Sequence, residues 1–110
     1  MNDNDLLKII NHYGILAQLK KFHEEVFELI EAIITNEEGQ YGEYWNEQYE
    51  EHIVEEIADV MVMLSQFKEY YKIDGTKIMD IMKKKVDRQL GRIKSEWYQR
   101  NIYEIKKHRN

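Results

Sequence analysis

The sequence predicts an all-α fold, an antiparallel helical bundle completed by oligomerisation, and three observations carry that expectation. The 110-residue chain has no proline and only five glycines, so the residue most disruptive to helices is missing. Apolar residues recur at three- and four-residue steps through three long segments. The breaks between segments are short, which makes consecutive helices antiparallel neighbours. A domain this small leaves much of its surface in water, so long apolar helices favour association with further copies.

In chain order, a short helix is expected near residues 6–11, with Gly14 as a weak break. The first long helix carries the stripe Leu19, Phe22, Val26, Leu29 and Ile33, widened by Ile15, Ile30 and Ile34. It ends in the run Thr35-Asn36-Glu37-Glu38-Gly39, where Gly39 or Gly42 can take a left-handed turn. The following connector is unusually aromatic, with Tyr41, Tyr44 and Trp45. A second long helix runs from about residue 46 to 71 on Ile53, Ile57, Val60, Met61, Leu64 and Phe67. Residues 57–64 are apolar nearly all round, which places them in the middle of a bundle. Asp74 and Gly75 make the next turn, with Asp74 or Thr76 as N-cap. The third helix starts near Lys77 and passes Ile78, Ile81, Met82, Val86, Leu90 and Ile93. The whole chain, 1–110, reads as one domain with its core in residues 13–93; residues 97–110 form a tail without an assigned structure.

Composition narrows the function classes. With no cysteine, disulfides, thiolate zinc sites and a cysteine nucleophile are excluded. The acidic start Met1-Asn2-Asp3-Asn4-Asp5 lacks the basic and apolar parts of a signal peptide. No stretch approaches the ~20 apolar residues that span a bilayer. A soluble, cytoplasmic protein without a membrane partner is the expectation. The net charge of −5 disfavours binding to a nucleic-acid polymer. Acids crowd residues 24–56 and bases crowd residues 83–107, a division that suits a metal–polyphosphate substrate and equally suits two solvated helix faces.

Two acidic motifs stand out against this background. Glu24-Glu25-Val26-Phe27-Glu28 lies inside the first long helix, and Glu55-Glu56-Ile57-Ala58-Asp59 lies where the second becomes apolar. Residues three apart share a helix side, so Glu25 pairs with Glu28 and Glu56 with Asp59. One Glu-x-x-Glu is ordinarily a solvated pair, since glutamate is a good helix former. Position makes these different. Glu25 borders the stripe of Phe22 and Leu29, and Asp59 interrupts an apolar run. Carboxylates drawn toward a core repel one another and are costly to bury unpaired. A hard divalent cation resolves that conflict, and Mg²⁺ takes oxygen ligands while sharing its site with substrate phosphates.

The acids, their order and the roughly thirty residues between them resemble the signature of the MazG-like all-α nucleoside triphosphate pyrophosphohydrolases. The likeness extends through residues 13–33 (YGILAQLKKFHEEVFELIEAI) and 52–67 (HIVEEIADVMVMLSQF), and includes Gln18, seven residues before Glu25. Lys85-Val86-Asp87-Arg88 with Arg92 is similar to the family's basic stretch. The match covers about residues 13–93; the two acid motifs are fairly specific together, the basic one weak alone. The resemblance implies Mg²⁺, with Mn²⁺ as substitute, held by Glu25, Glu28, Glu56 and Asp59 and assisted by Glu24. It implies conversion of a nucleoside triphosphate to monophosphate and pyrophosphate, by a homodimer or homotetramer. In such a site a glutamate, Glu28 or Glu25, accepts a proton from the attacking water. Lys85 and Arg88, with Lys84 and Arg92 as weaker candidates, offset charge on the leaving pyrophosphate.

Base recognition is less sharply drawn. Gln18 shares a face with Glu25 and can donate to a base edge, and Phe22, Tyr41, Tyr44 or Trp45 can stack, although packing is the commoner use of each. His23 and His52 precede the acid pairs and read as capping or packing residues. A ferritin-like di-iron bundle needs Glu-x-x-His on two helices, and the chain has none. A helical interaction module or small regulator is the alternative that remains; it gives Asp59 no reason to sit in an apolar run.

Overall fold

The computed structural model describes residues 1–38 and 47–107. It is all-helical over them: α1 Asp3–Tyr13, α2 Ile15–Glu38, α3 Glu47–Tyr70 and α4 Gly75–Lys107. Gly39, Tyr41, Gly42, Tyr44 and Trp45, and the turn and stacking roles expected of them, lie outside the described residues. None of the described helices is long and apolar enough to cross a membrane.

The helix ends follow from local chemistry. Asn2 caps α1: its side-chain oxygen accepts from the Asp5 amide at 2.9 Å, and the Asp5 carboxylate accepts from the Asn2 amide at 3.2 Å. This reciprocal box satisfies two amides that a helix start leaves without partners. Gly14 breaks α1 from α2 with φ 91°, a conformation that side-chain-bearing residues rarely adopt, while its amide still donates to the Ile10 carbonyl at 2.8 Å. After α3 the backbone turns at Lys72, φ 55°. Asp74 then caps α4, its carboxylate accepting from the Thr76 amide at 2.9 Å.

The chain divides into two compact units, Met1–Ile73 and Asp74–Asn110. In the first, α2 and α3 form the main pair, and α1 packs chiefly on α3. Early α2 meets late α3: Gln18 bonds Gln66, and Phe22 meets Phe67 edge to face with ring centroids 5.4 Å apart. Farther along α2, Thr35 shares a cleft with His52, near the start of α3. The two helices are therefore antiparallel. Leu6 and Ile10, one turn apart, are the buried face of α1, joined by Ala32 and Met63. The second unit is the single helix α4, which buries none of its residues.

The packing departs from the sequence expectation on two helices. The buried line of α2 is Gln18, Glu25, Ala32 and Asn36, while Leu19, Ile30, Ile33 and Ile34 from the expected stripe are exposed in this chain. One side of α3 is covered, but Ile57, Met61, Val62 and Leu64 are exposed rather than enclosed. Residues 57–64 therefore form a half-covered helix face rather than the enclosed segment that their apolar run suggests. The third predicted helix begins just after Asp74, one of its two candidate N-caps, and continues through the residues left unassigned to Lys107 without a break.

Candidate metal centre

Part of each acid motif lies where α2 and α3 meet, while Glu24, Glu28 and Glu55 are exposed. Among the described residues, one triad offers carboxylate oxygens all within 4.8 Å of one another: Glu25, Glu56 and Asp59. Glu25 is buried, Glu56 half-buried and Asp59 exposed, so the triad runs from the helix interface to the surface. Asp59 is more open than its apolar surroundings in the sequence suggest, because its neighbours Ile57, Met61 and Val62 are themselves uncovered.

The electrostatics of this arrangement are unfavourable. Glu25 Oε2 and Glu56 Oε2 are buried oxygens without a hydrogen-bond partner. Each has one basic side chain near its other oxygen: Lys21 Nζ lies 3.1 Å from Glu25 Oε1, and His52 Nδ1 lies 4.0 Å from Glu56 Oε1. Burial pushes the Glu56 carboxyl above its ordinary value of 4.5, and the charges of Glu28, Asp59 and Glu25 push it further, against a smaller opposing effect of His52. Native proteins rarely leave buried polar atoms unmatched, and such a group calls for an explanation such as an ion. Three hard oxygen donors converging from two helices fit Mg²⁺ or Mn²⁺ and do not fit a soft metal.

Glu28 does not join the triad. It is exposed, on the far side of Glu56, where both line a cleft of about 370 Å³ with Glu31, Thr35 and His52. Its charge still reaches Glu56. On the near side, an open cleft of about 630 Å³ receives Glu24, Glu25 and Asp59 together with Lys20 and Lys21. Its other end is lined by Tyr13, Ala17, Gln18, Met63 and Gln66. The acid triad thus stands between two clefts, one of which joins a charged end to an amide-bearing apolar end.

The remaining predicted site residues fall as follows. Gln18 is buried in the cleft wall, its amide donating to Gln66 Oε1 at 2.8 Å. Phe22 packs on Phe67. Lys85, Arg88 and Arg92 border one shallow depression on α4, with Lys84 exposed on the same helix. Two residues escaped the sequence reading. Lys21 was legible as an i, i+4 partner of Glu25. Gln66 stands seven residues after Asp59, as Gln18 stands seven before Glu25, and that shared two-turn step was the available signal.

Compared with known proteins, the chain matches no family model, no curated protein and no solved structure.

Proposed function

We propose that this protein is a Mg²⁺-dependent nucleoside triphosphate pyrophosphohydrolase of the MazG-like all-α kind. The observation that carries the reading is the pair of buried, unpartnered oxygens on Glu25 and Glu56, which meet Asp59 beside a cleft. That cleft, about 630 Å³, falls in the usual size range of small-ligand sites, roughly 300–1,000 Å³.

In this reading Glu25, Glu56 and Asp59 hold the metal, with Glu24 at the cleft edge assisting. When bound, Mg²⁺ neutralises the polyphosphate, orients it and lowers the pKa of an attacking water. A glutamate of the two motifs, Glu25 or Glu28, accepts the proton of that water. The P–O bond between the α- and β-phosphates breaks, and the elements of water are divided between monophosphate and pyrophosphate. On α4, Lys85, Arg88 and Arg92 present phosphate ligands on one face. Gln18 and Gln66 place an amide pair at the opposite end of the cleft from the charges, where a base edge has donors and acceptors to meet.

The test is a panel of standard and modified ribo- and deoxyribonucleoside triphosphates with Mg²⁺, with all products resolved. Monophosphate and pyrophosphate in equal amounts are expected from at least one of them. Diphosphate and phosphate, or no turnover across the panel, contradicts the reading and favours a non-enzymatic helical interaction module.

A further inference from the structure

We propose that Lys21 is the resident counter-ion of the acid triad: its ammonium holds Glu25 until a divalent cation takes that carboxylate, and then serves a substrate phosphate. The inference rests on the functional reading above and extends it to a residue that neither acid motif contains.

The geometry of the pair is unequal. Lys21 Nζ lies 3.1 Å from Glu25 Oε1, yet the lysine side chain is 53% exposed and the glutamate side chain 9%. In an ordinary surface pair both ends are solvated and the contact is worth little. Here the ammonium touches one oxygen of a carboxylate whose other oxygen is buried without a partner. The hydrogen bond to Glu25 and that residue's charge hold the Lys21 ammonium above its ordinary pKa of 10.5, with Glu24 and Glu28 adding to them. One positive charge therefore partly offsets a triad of carboxylates.

A divalent cation on Glu25 competes with that ammonium for the same group, and the two cations repel each other. Release is easy for lysine. Its charge rides on a flexible four-carbon stem, and here about half of the side chain is in water. The released ammonium has a place to act, because Lys21 and its neighbour Lys20 line the same cleft as Glu24, Glu25 and Asp59. A polyphosphate brought to the triad lies within the reach of both lysines, and lysine binds phosphate as a point charge. Holding the apo site and binding the substrate are then successive uses of one side chain.

The experiment measures binding alone, on the full chain, by calorimetric titration with Mn²⁺ and then with a non-hydrolysable nucleoside triphosphate in saturating Mn²⁺. Lys21→Met is expected to bind Mn²⁺ about two- to fivefold tighter than the wild type, the factor corresponding to a partly exposed ion pair. The same variant is expected to bind the triphosphate about tenfold more weakly, through loss of a charge-assisted contact. Lys21→Arg, which keeps the cation, should stay near the wild type in both. A residue of purely structural value would move both affinities downward together. Mn²⁺ affinity unchanged or weakened in Lys21→Met overturns the counter-ion, and unchanged triphosphate affinity overturns the transfer. A wild type that binds both ligands but hydrolyses no triphosphate refutes the functional reading alone. A wild type that binds no Mn²⁺ refutes both.

Discussion

Glu56→Gln is expected to cut triphosphate hydrolysis by about a thousandfold or more, the scale of losing an electrostatic element essential to the transition state. In the same protein the melting temperature without divalent metal should rise. The two effects have one cause. Glutamine keeps the shape of Glu56 but removes a charge that burial, Glu28, Asp59 and Glu25 all oppose. The folded pKa of Glu56 lies above 4.5, so the folded chain holds this proton more tightly than the unfolded chain. Its stabilising contribution is complete below the unfolded value and is lost as pH rises through the raised folded value. Ionisation of this group therefore works against folding, and metal-free wild type should gain stability from it as the pH is lowered across that window. Melting curves of wild type and Glu56→Gln, taken without metal between pH 4 and 8, should converge at the acid end. Asp59→Ala should lose hydrolysis while keeping the fold. A Glu56→Gln protein that turns over triphosphate at the wild-type rate would remove Glu56 from the site.

Leu90→Asp is expected to reduce the particle in solution to a single chain. The stripe Ile78, Met82, Val86, Leu90, Ile93 and Trp97 runs along α4 at three- and four-residue steps, and every member is exposed in this chain. The helix has 33 residues and is about 50 Å long at ~1.5 Å per residue. Fully burying large apolar side chains contributes roughly 1.5–3 kcal/mol each, so a stripe of this length is a strong drive to associate. Light scattering should give two or four chains for the wild type and one for the variant. The wild-type melting temperature should rise with protein concentration, and that dependence should vanish in Leu90→Asp. A wild type that is monomeric at every concentration contradicts the expectation.

The helices were legible because they depend on local signals. Gly14 and Asp74 each mark a boundary by chemistry that acts within a few residues, whereas the Asn2 cap, which starts α1 ahead of the expected residues 6–11, was not read. The apolar period was equally plain, but it did not say which part of the apolar surface one chain covers. In α2 the buried line is mostly polar, with Gln18, Glu25 and Asn36 inside and Leu19 and Ile33 outside. Hydropathy alone inverts that order, because a leucine is left exposed where a single chain has nothing to lay on it.

The acid motifs placed Glu25, Glu56 and Asp59 on facing helix sides, and these three do converge. Glu28 shares their spacing but not their meeting point. Helical spacing puts Glu28 near Glu25; only the antiparallel register of α2 on α3 decides which acids meet across the interface. Gln66 was missed for a related reason. Its partner Gln18 lies 48 residues away, and the seven-residue step that each keeps from an acid reads as a pair only once α2 and α3 are known to be antiparallel.

Thermal melting of the full chain with and without Mg²⁺ or Mn²⁺ at neutral pH tests most directly whether mutual repulsion at this helix interface is relieved by a cation. A ligand specific to the folded state stabilises by about 2.7 kcal/mol at a hundredfold excess over Kd, which for a chain of this size is a rise of roughly 10–20 °C. That rise is expected in the wild type and not in Glu56→Gln. An unchanged wild-type melting temperature at millimolar metal, or an equal rise in both proteins, would contradict it.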